Sequence, residues 1–330
     1  MSVDLRTIAI EPQRHTFDHL ARRFGDKPAS RYQEGSYDIQ ATENLHYRPT
    51  WDPDQALYDP ALSRVRMTDW YAIKDPRQFY YSTYTITRAR QQDTAEANFD
   101  FVESRNLLDL MPPPLQANVA AVLLPLRHAA WAGNQVNAFI CGYGYGVTFT
   151  QPAIYYAMDC LGIAQYLSRL GLLLGGPEAL AQAKQAWTDA PAWQPLRHLA
   201  EDAMALRDPV EAFVAWNVAV DGLTYPLVYA HIVDDHFAAA GGAAIAMLTQ
   251  FMTGWFGETQ KWIDAAVRTM ADESAENRAV LSTWYAEWTA RAAAALDPVA
   301  ALALGDAAGD AVAEQRGALA TRMQKNGLAV

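Results

Sequence analysis

Hydrophobic residues recur at helical spacing along most of the chain. The stretch YAMDCLGIAQYLSR, residues 156–169, is representative. Its Ile163 and Leu167, followed by Leu170, lie at i, i+4 and i+7 and therefore share one helix face. Asp159 lies one turn earlier on the same face. The pattern predicts a core helix that carries an inward-facing carboxylate.

Prolines and glycines divide the chain after residue 75 into long helical segments. The pairs Asp75–Pro76 and Asp208–Pro209 are typical of an N-cap followed by proline at the first helical position. The predicted helices cover about 75–110, 115–142, 152–174, 178–191, 208–240 and 243–271, with a last helix opening at Asp297–Pro298. Because the sequence has no alternating strand pattern of useful length and no fixed repeat, we expect an all-α fold of long helices.

The first 75 residues are rich in proline, polar and aromatic residues, and no helical period persists there. We therefore divide the chain into an extended N-terminal arm, residues 1–75, and a helical domain, residues 76–330. Two interpretations of the arm stay open: it packs on its own domain, or it wraps a partner subunit. Aromatic rings and arginines are suited to interfaces. The candidate partner-binding residues are Arg22, Arg23, Tyr32, Tyr37, Tyr47, Trp51 and Tyr58.

Composition and charge narrow the class of protein. Of 330 residues, 51% are hydrophobic and 19% are charged, which suits a large folded core. The net charge of −11, with no basic cluster beyond Arg22–Arg23, argues against a nucleic-acid partner. Two cysteines and an N-terminus without an apolar signal segment favour a cytoplasmic protein. Glycine and polar residues interrupt the uncharged runs 129–158 and 237–257, so we expect no membrane span.

An inward carboxylate on a bundle helix is often half of a metal-binding Glu-x-x-His pair, because residues i and i+3 share a face. Three residues after Asp159, however, the chain has Gly162, and the only Glu-x-x-His, Glu43 to His46, lies in the arm. A second candidate metal cluster comprises His231, Asp234, Asp235 and His236. A transition-metal site needs three or four converging ligands. The favoured interpretation of this cluster is therefore a solvated or interface-facing helix end.

Three long stretches resemble a single protein family. They are RRFGDKPASRYQEGSYDIQATENLHYRPTWDPDQALYDP (22–60), DWYAIKDPRQFYYSTYTITRAR (69–90) and AMDCLGIAQYLSRLGLLL (157–174). They are similar to the β subunit of the oxygenase component of bacterial multicomponent monooxygenases. The phenol hydroxylases are the nearest group and the toluene monooxygenases the next. The resemblance covers nearly the whole chain.

The resemblance implies a ferritin-like long-helix bundle with a scaffolding role. In that family the oxygenase is an (αβγ)2 complex whose α subunit holds a di-iron centre, and a reductase and a small regulatory protein serve that centre. The β subunit reaches over its partners with its N-terminal arm. The resemblance therefore implies that this chain has no catalytic, cofactor-binding or metal-binding residues of its own. It places vestigial iron-ligand positions at Asp159, Gly162 and Asp221.

Three hypotheses on function follow. The first is a noncatalytic structural subunit of a hydroxylase that acts on phenol or related aromatics with O2 and NADH-derived electrons. The second is a self-sufficient ferritin-like metalloenzyme that uses the histidine and aspartate cluster at 231–236. The third is a helical interaction protein without enzymatic activity.

Overall fold

The computed structural model describes residues 13–50 and 52–330, and this part of the chain contains helices and turns but no strand. The all-α class predicted from the sequence is confirmed. Two short helices, α1 (Asp18–Phe24) and α2 (Arg31–Glu34), lie in the arm. The next helices are α3 (Tyr81–Ser104), α4 (Pro113–Leu123), α5 (Leu126–Tyr143), α6 (Val147–Asp189) and α7 (Gln194–Met204).

A continuous helix then runs over residues 209–242. It consists of α8 (Pro209–Phe213), α9 (Asp221–Thr224) and two π-helical stretches, Val214–Val220 and Tyr225–Gly242. Asp208 caps its start, as predicted, by accepting hydrogen bonds from the next backbone N–H groups. Gly241, with φ 103°, ends it at the predicted position. The chain finishes with α10 (Ala243–Glu273), α11 (Ala275–Leu304) and α12 (Ala308–Lys325).

Two helix pairs form the centre of the bundle. A three-residue turn at 144–146 joins α5 to α6, and α10 packs back along the 209–242 helix. Helix α11 packs against α7 and α10, while α3 lies on α10. One large hydrophobic core fills the space between these helices. The turn requires glycine at position 146, because its φ is 85° and an added Cβ would lie 2.9 Å from the Cβ of Trp70.

Two predicted helix starts are wrong. Helix α3 begins at Tyr81, because Asp75 is buried in an ion pair with Arg77 (2.9 Å) and does not cap a helix. Pro298 lies inside α11, which continues to Leu304. The buried neighbours of Pro298 hold this segment in the core, and tertiary packing thereby overrides the local preference of proline for a helix start.

Two predicted helix lengths also change. The expected helix 115–142 is two helices, α4 and α5, which meet at Leu124–Pro125 because proline lacks the N–H of a helical hydrogen bond. Helix α6 begins before residue 152 and runs on to Asp189, with non-helical backbone at Gly175 and Gly176. The predicted break at these glycines is therefore a kink between two segments of one long element.

The arm packs closely on its own chain over part of its length. The side chain of Gln151 donates to the carbonyl of Gly35 (3.0 Å), and the N–H of Gly146 donates to the Gln40 side chain (3.0 Å). Residues 41–48, by contrast, are exposed except for Leu45 and have no regular structure. The arm also packs on its own chain before and after this region, through a small core that includes Leu20 and Tyr71 and through the N–H of Arg64, which donates to Asp208. Partner wrapping stays a prediction for the exposed stretch 41–48.

Two helical runs, Pro209–Glu273 and Ala275–Lys325, are long and apolar enough to cross a membrane by length and composition alone. Core helices of large helical proteins meet the same criterion. Both runs supply many buried side chains to the main core, and the first carries the buried carboxyl of Asp221. Length and composition are therefore weak support for a membrane span here.

Candidate functional site

Five polar and aromatic side chains connect α3, α6 and α10. This group, hereafter the Arg88 cluster, comprises Tyr84, Arg88, Asp159, Trp255 and Glu258. The carboxylate of Asp159 accepts from the Tyr84 hydroxyl (2.8 Å), twice from the Arg88 guanidinium (2.7 and 2.8 Å) and from the Trp255 indole N–H (2.6 Å). Arg88 also donates to Glu258 at 3.1 Å. The cluster therefore ties three helices together through one guanidinium.

Helical spacing places the cluster residues of α3 on one face of that helix, and those of α10 likewise on one face. Tyr84 and Arg88 lie at i and i+4 on α3, while Trp255 and Glu258 lie at i and i+3 on α10. Burial lowers the pKa of Arg88, but its hydrogen bonds to Asp159 and Glu258 outweigh burial and raise the pKa above its usual value. Arg88 is therefore charged, and the planar guanidinium suits two-pronged pairing with a carboxylate.

The sequence identified Asp159 in this cluster but missed its partners. Arg88 precedes Asp159 by 71 positions and Glu258 by 170, so no local spacing connects them. Both oxygens of Asp159 are engaged by protein donors. A metal ion would have to displace the Arg88 guanidinium to use this carboxylate. The arrangement is chemically an ion-paired cross-link, and its residues do not fit a di-iron ligand set.

Gly162 lies beside the Arg88 cluster, at the wall of a cavity of about 320 Å³ between α3, α6 and α10. An added Cβ at Gly162 would meet no atom within 4 Å. A side chain at this position would therefore extend into free space. The cavity is lined on its apolar side by Met158, Ile163, Phe251 and Trp255.

Asp221 occupies a different and fully buried environment. Its carboxyl group accepts a short hydrogen bond from the hydroxyl of Tyr156. Burial raises the pKa of Asp221 to about 7, although the hydrogen bond from the Tyr156 hydroxyl acts in the opposite direction. Asp221 borders a cavity of about 20 Å³, room for about one water molecule. This carboxyl group changes its charge near neutral pH and is shielded by aromatic rings.

The three suspected ligand positions do not converge. Asp159 and Gly162 line the larger cavity, whereas Asp221 lines the smaller one. The α6 residues that share the smaller cavity with Asp221 are Cys160 and Ile163, and neither supplies an oxygen or imidazole ligand. Within residues 13–50 and 52–330, no group of three or more His, Cys, Asp or Glu side chains is arranged to hold a metal ion.

The histidine and aspartate cluster at 231–236 lies at an exposed stretch of helix. The Nδ1 atom of His231 lies 4.0 Å from a carboxylate oxygen of Asp235, which is itself largely exposed. Asp234 and His236 are also exposed, and Ile232 and Val233 between them are buried. These side chains belong to a solvated helix face and form no enclosed ligand set, as the sequence interpretation favoured.

The candidate arm residues fall into three groups. Tyr32 and Tyr37 are buried in a small core with Leu20 and Tyr71, and the Tyr32 hydroxyl accepts from the backbone N–H of Asp75 (3.0 Å). Arg23 pairs with two aspartates, whose hydrogen bonds raise its pKa. Exposed or half-buried are Arg22, Tyr47 and Tyr58. Trp51 lies outside the described residues.

Two solved structures share the fold of this chain. The chain shares its fold with a toluene 4-monooxygenase chain, with a TM-score of 0.72 at 19% identity, over 94% of this chain and 100% of that one. A chain of phenol hydroxylase from Pseudomonas sp. OX1 matches with a TM-score of 0.93 at 43% identity, over 99% of each chain. The fold is therefore the ferritin-like helical bundle of the bacterial hydroxylases, as the resemblance implied.

The family follows from the sequence comparisons. The methane/phenol/alkene hydroxylase family matches residues 51–274. The phenol 2-monooxygenase oxygenase component DmpL of Pseudomonas sp. strain CF600 is 49% identical, over 99% of this chain and 98% of that protein. The β subunit of the toluene-4-monooxygenase hydroxylase component from Ectopseudomonas mendocina is 23% identical, over 83% and 85%. The chain belongs to the methane/phenol/alkene hydroxylase family, which confirms the resemblance noted from the sequence.

Proposed function

We propose that this chain is the noncatalytic β subunit of a multicomponent phenol hydroxylase. It scaffolds a catalytic α subunit, together with γ, in an (αβγ)2 oxygenase. The di-iron centre lies in α, and a reductase and a regulatory protein serve that centre. The complex hydroxylates phenol or related aromatics with O2 and NADH-derived electrons in the cytoplasm, without a nucleic-acid or membrane partner.

The observation that carries this proposal is the pairing of Asp159 with Arg88. The chain aligns over 99% of its length with an oxygenase component and over 83% of its length with a subunit designated β. Its inward carboxylate is nevertheless bound by a protein cation, and a second suspected ligand, the buried carboxyl of Asp221, lines a separate cavity. A hydroxylase-family bundle with this interior supports a structural role better than a catalytic one.

The test is reconstitution from purified components. The chain should copurify with its cognate α and γ subunits, and the complex with reductase and regulatory protein should hydroxylate phenol. The chain alone, after incubation with ferrous iron and removal of excess metal, should retain less than stoichiometric iron and oxidise no phenol. Two irons per isolated chain would favour the self-sufficient metalloenzyme. Failure to assemble with α would favour an interaction protein of another kind.

A further inference from the structure

The cavity of about 20 Å³ beside Asp221, hereafter the Asp221 cavity, lies where the 209–242 helix meets α5 and α6. Trp216 and Thr224 line it from the 209–242 helix, while α5 and α6 contribute small or apolar residues such as Ala129 and Ile163. A cavity needs about 10–15 Å³ to hold one water molecule. The Asp221 cavity therefore has room for a single water molecule.

The indole N–H of Trp216 is a buried donor that no residue accepts. Trp216 is only 1% exposed, and within residues 13–50 and 52–330 its Nε1 atom has no hydrogen-bond partner. Unpaired buried donors are rare in folded proteins, because each one gives up the hydrogen bond that it makes to water in the unfolded chain. Since Trp216 lines the Asp221 cavity, a ligand held there can accept this hydrogen bond.

Two oxygen-bearing side chains line the same cavity. The carboxyl group of Asp221 accepts from Tyr156 through Oδ2, which leaves Oδ1 available for a second partner. The hydroxyl of Thr224 donates to the carbonyl of Val220 (2.7 Å), so its oxygen can still accept a hydrogen bond. The residues around the cavity thus offer one donor and two acceptors, and a buried water molecule typically makes about three hydrogen bonds.

The chemistry of these groups selects the ligand. A metal cation cannot accept the hydrogen bond of the Trp216 N–H. The residues that line the cavity, all in the described part of the chain, include no lysine, arginine or histidine that would hold an anion. An apolar guest would leave the polar groups unpaired. Water both donates and accepts, and it serves Asp221 in either charge state, because it donates to a carboxylate and accepts from a carboxylic acid.

We propose that the Asp221 cavity binds one ordered water molecule, which accepts from the Trp216 indole N–H and bonds to the Asp221 carboxyl group and the Thr224 hydroxyl. This water molecule supplies the partner that the chain itself does not provide for Trp216, and it is a fixed part of the core. The inference is independent of the proposed function, since it uses only groups within this chain.

The experiment is a crystal structure of the full-length chain, alone or in its complex, at a resolution that shows single water molecules. One crystal is native and a second is held under xenon pressure. We expect one water peak about 3 Å from both Trp216 Nε1 and an Asp221 carboxyl oxygen, and no xenon at the site. Xenon bound in a dry cavity, or a Trp216 indole that donates directly to Asp221 with no water between them, would overturn the inference.

Matched variants test which groups hold the water molecule. Thr224→Val removes a hydroxyl from the cavity, and its control is Thr249→Val. Thr249 is also buried and donates to the carbonyl four residues earlier (3.0 Å), but it does not line the cavity. The occupancy of the water peak should fall at least twofold in Thr224→Val and stay unchanged in Thr249→Val.

Asp221 provides a second pair of variants. Asp221→Asn keeps a side-chain oxygen and should retain the water molecule, whereas Asp221→Leu has no polar atom and should lose it. Full occupancy in both Thr224→Val and Asp221→Leu would overturn the inference, because neither side chain would then bind the ligand. The wild-type crystals decide the inference even where a variant does not fold.

Discussion

Replacing Arg88 by alanine measures how much the Arg88 cluster contributes to the free energy of unfolding. In Arg88→Ala, the Asp159 carboxylate, whose side chain is 6% exposed, loses its cation. Glu258 keeps Arg77 at 3.9 Å, so the main cost falls on Asp159. Breaking a buried pair costs about 3–5 kcal/mol, and we expect the lower end, about 3 kcal/mol, because Tyr84 and Trp255 still donate.

This cost translates into a measurable thermal shift. An unfolding entropy of about 2.1 cal/mol/K per residue gives about 0.7 kcal/mol/K for a chain of 330 residues. A loss of about 3 kcal/mol therefore lowers the midpoint by about 4 °C. Far-UV circular dichroism during heating measures this change. Arg14→Ala is the control, since its pair with Asp18 is exposed and should cost less than about 1 kcal/mol.

A double-mutant cycle separates the pair from the two side chains. Asp159→Ala alone should destabilise the chain, but adding it to Arg88→Ala should cost little more, because the second change removes the charge left unpaired by the first. We expect a coupling energy of about 2 kcal/mol. Additive effects of the two substitutions, or an unchanged midpoint in Arg88→Ala, would show that Asp159 does not depend on Arg88.

Further variants test other parts of the structure. The pKa of Asp221 is about 7 in the folded chain, against an ordinary value of 3.8, so its contribution to stability is full below pH 4 and is lost as pH rises through 7. Between pH 4 and pH 8, the free energy of unfolding of Asp221→Asn, measured in urea, should therefore rise relative to that of wild type by up to about 4 kcal/mol. Tyr32→Ala should lower unfolding stability by about 3 kcal/mol because its ring is buried. Tyr47→Ala, at a ring 57% exposed, should leave stability unchanged and weaken binding to α by about 1 kcal/mol or more in titrations. Gly146→Ala should lower the melting midpoint, because its φ of 85° and the nearby Trp70 leave no room for a methyl group.

The local sequence is sufficient to predict the all-α class and the ends of several helices. The period of the apolar positions places Ile163 and Leu167 in the core, and the backbone freedom of glycine marks the kink at 175–176 and the end at Gly241. Asp208 caps its helix because a side-chain oxygen reaches the next N–H groups without help from distant residues. These features depend on contacts between near neighbours, so the sequence alone predicts them.

The tertiary structure determined the partners and the surroundings of the buried polar residues. The period predicted that Asp159 faces inward, but its partner Arg88 is chosen by the packing of α3 against α6 and α10. The same packing separates Asp221 from Asp159 and keeps Pro298 inside a helix. Such outcomes depend on which helix faces meet, and residues far apart in sequence set that choice. The spacing of residues along the sequence therefore does not predict those contacts.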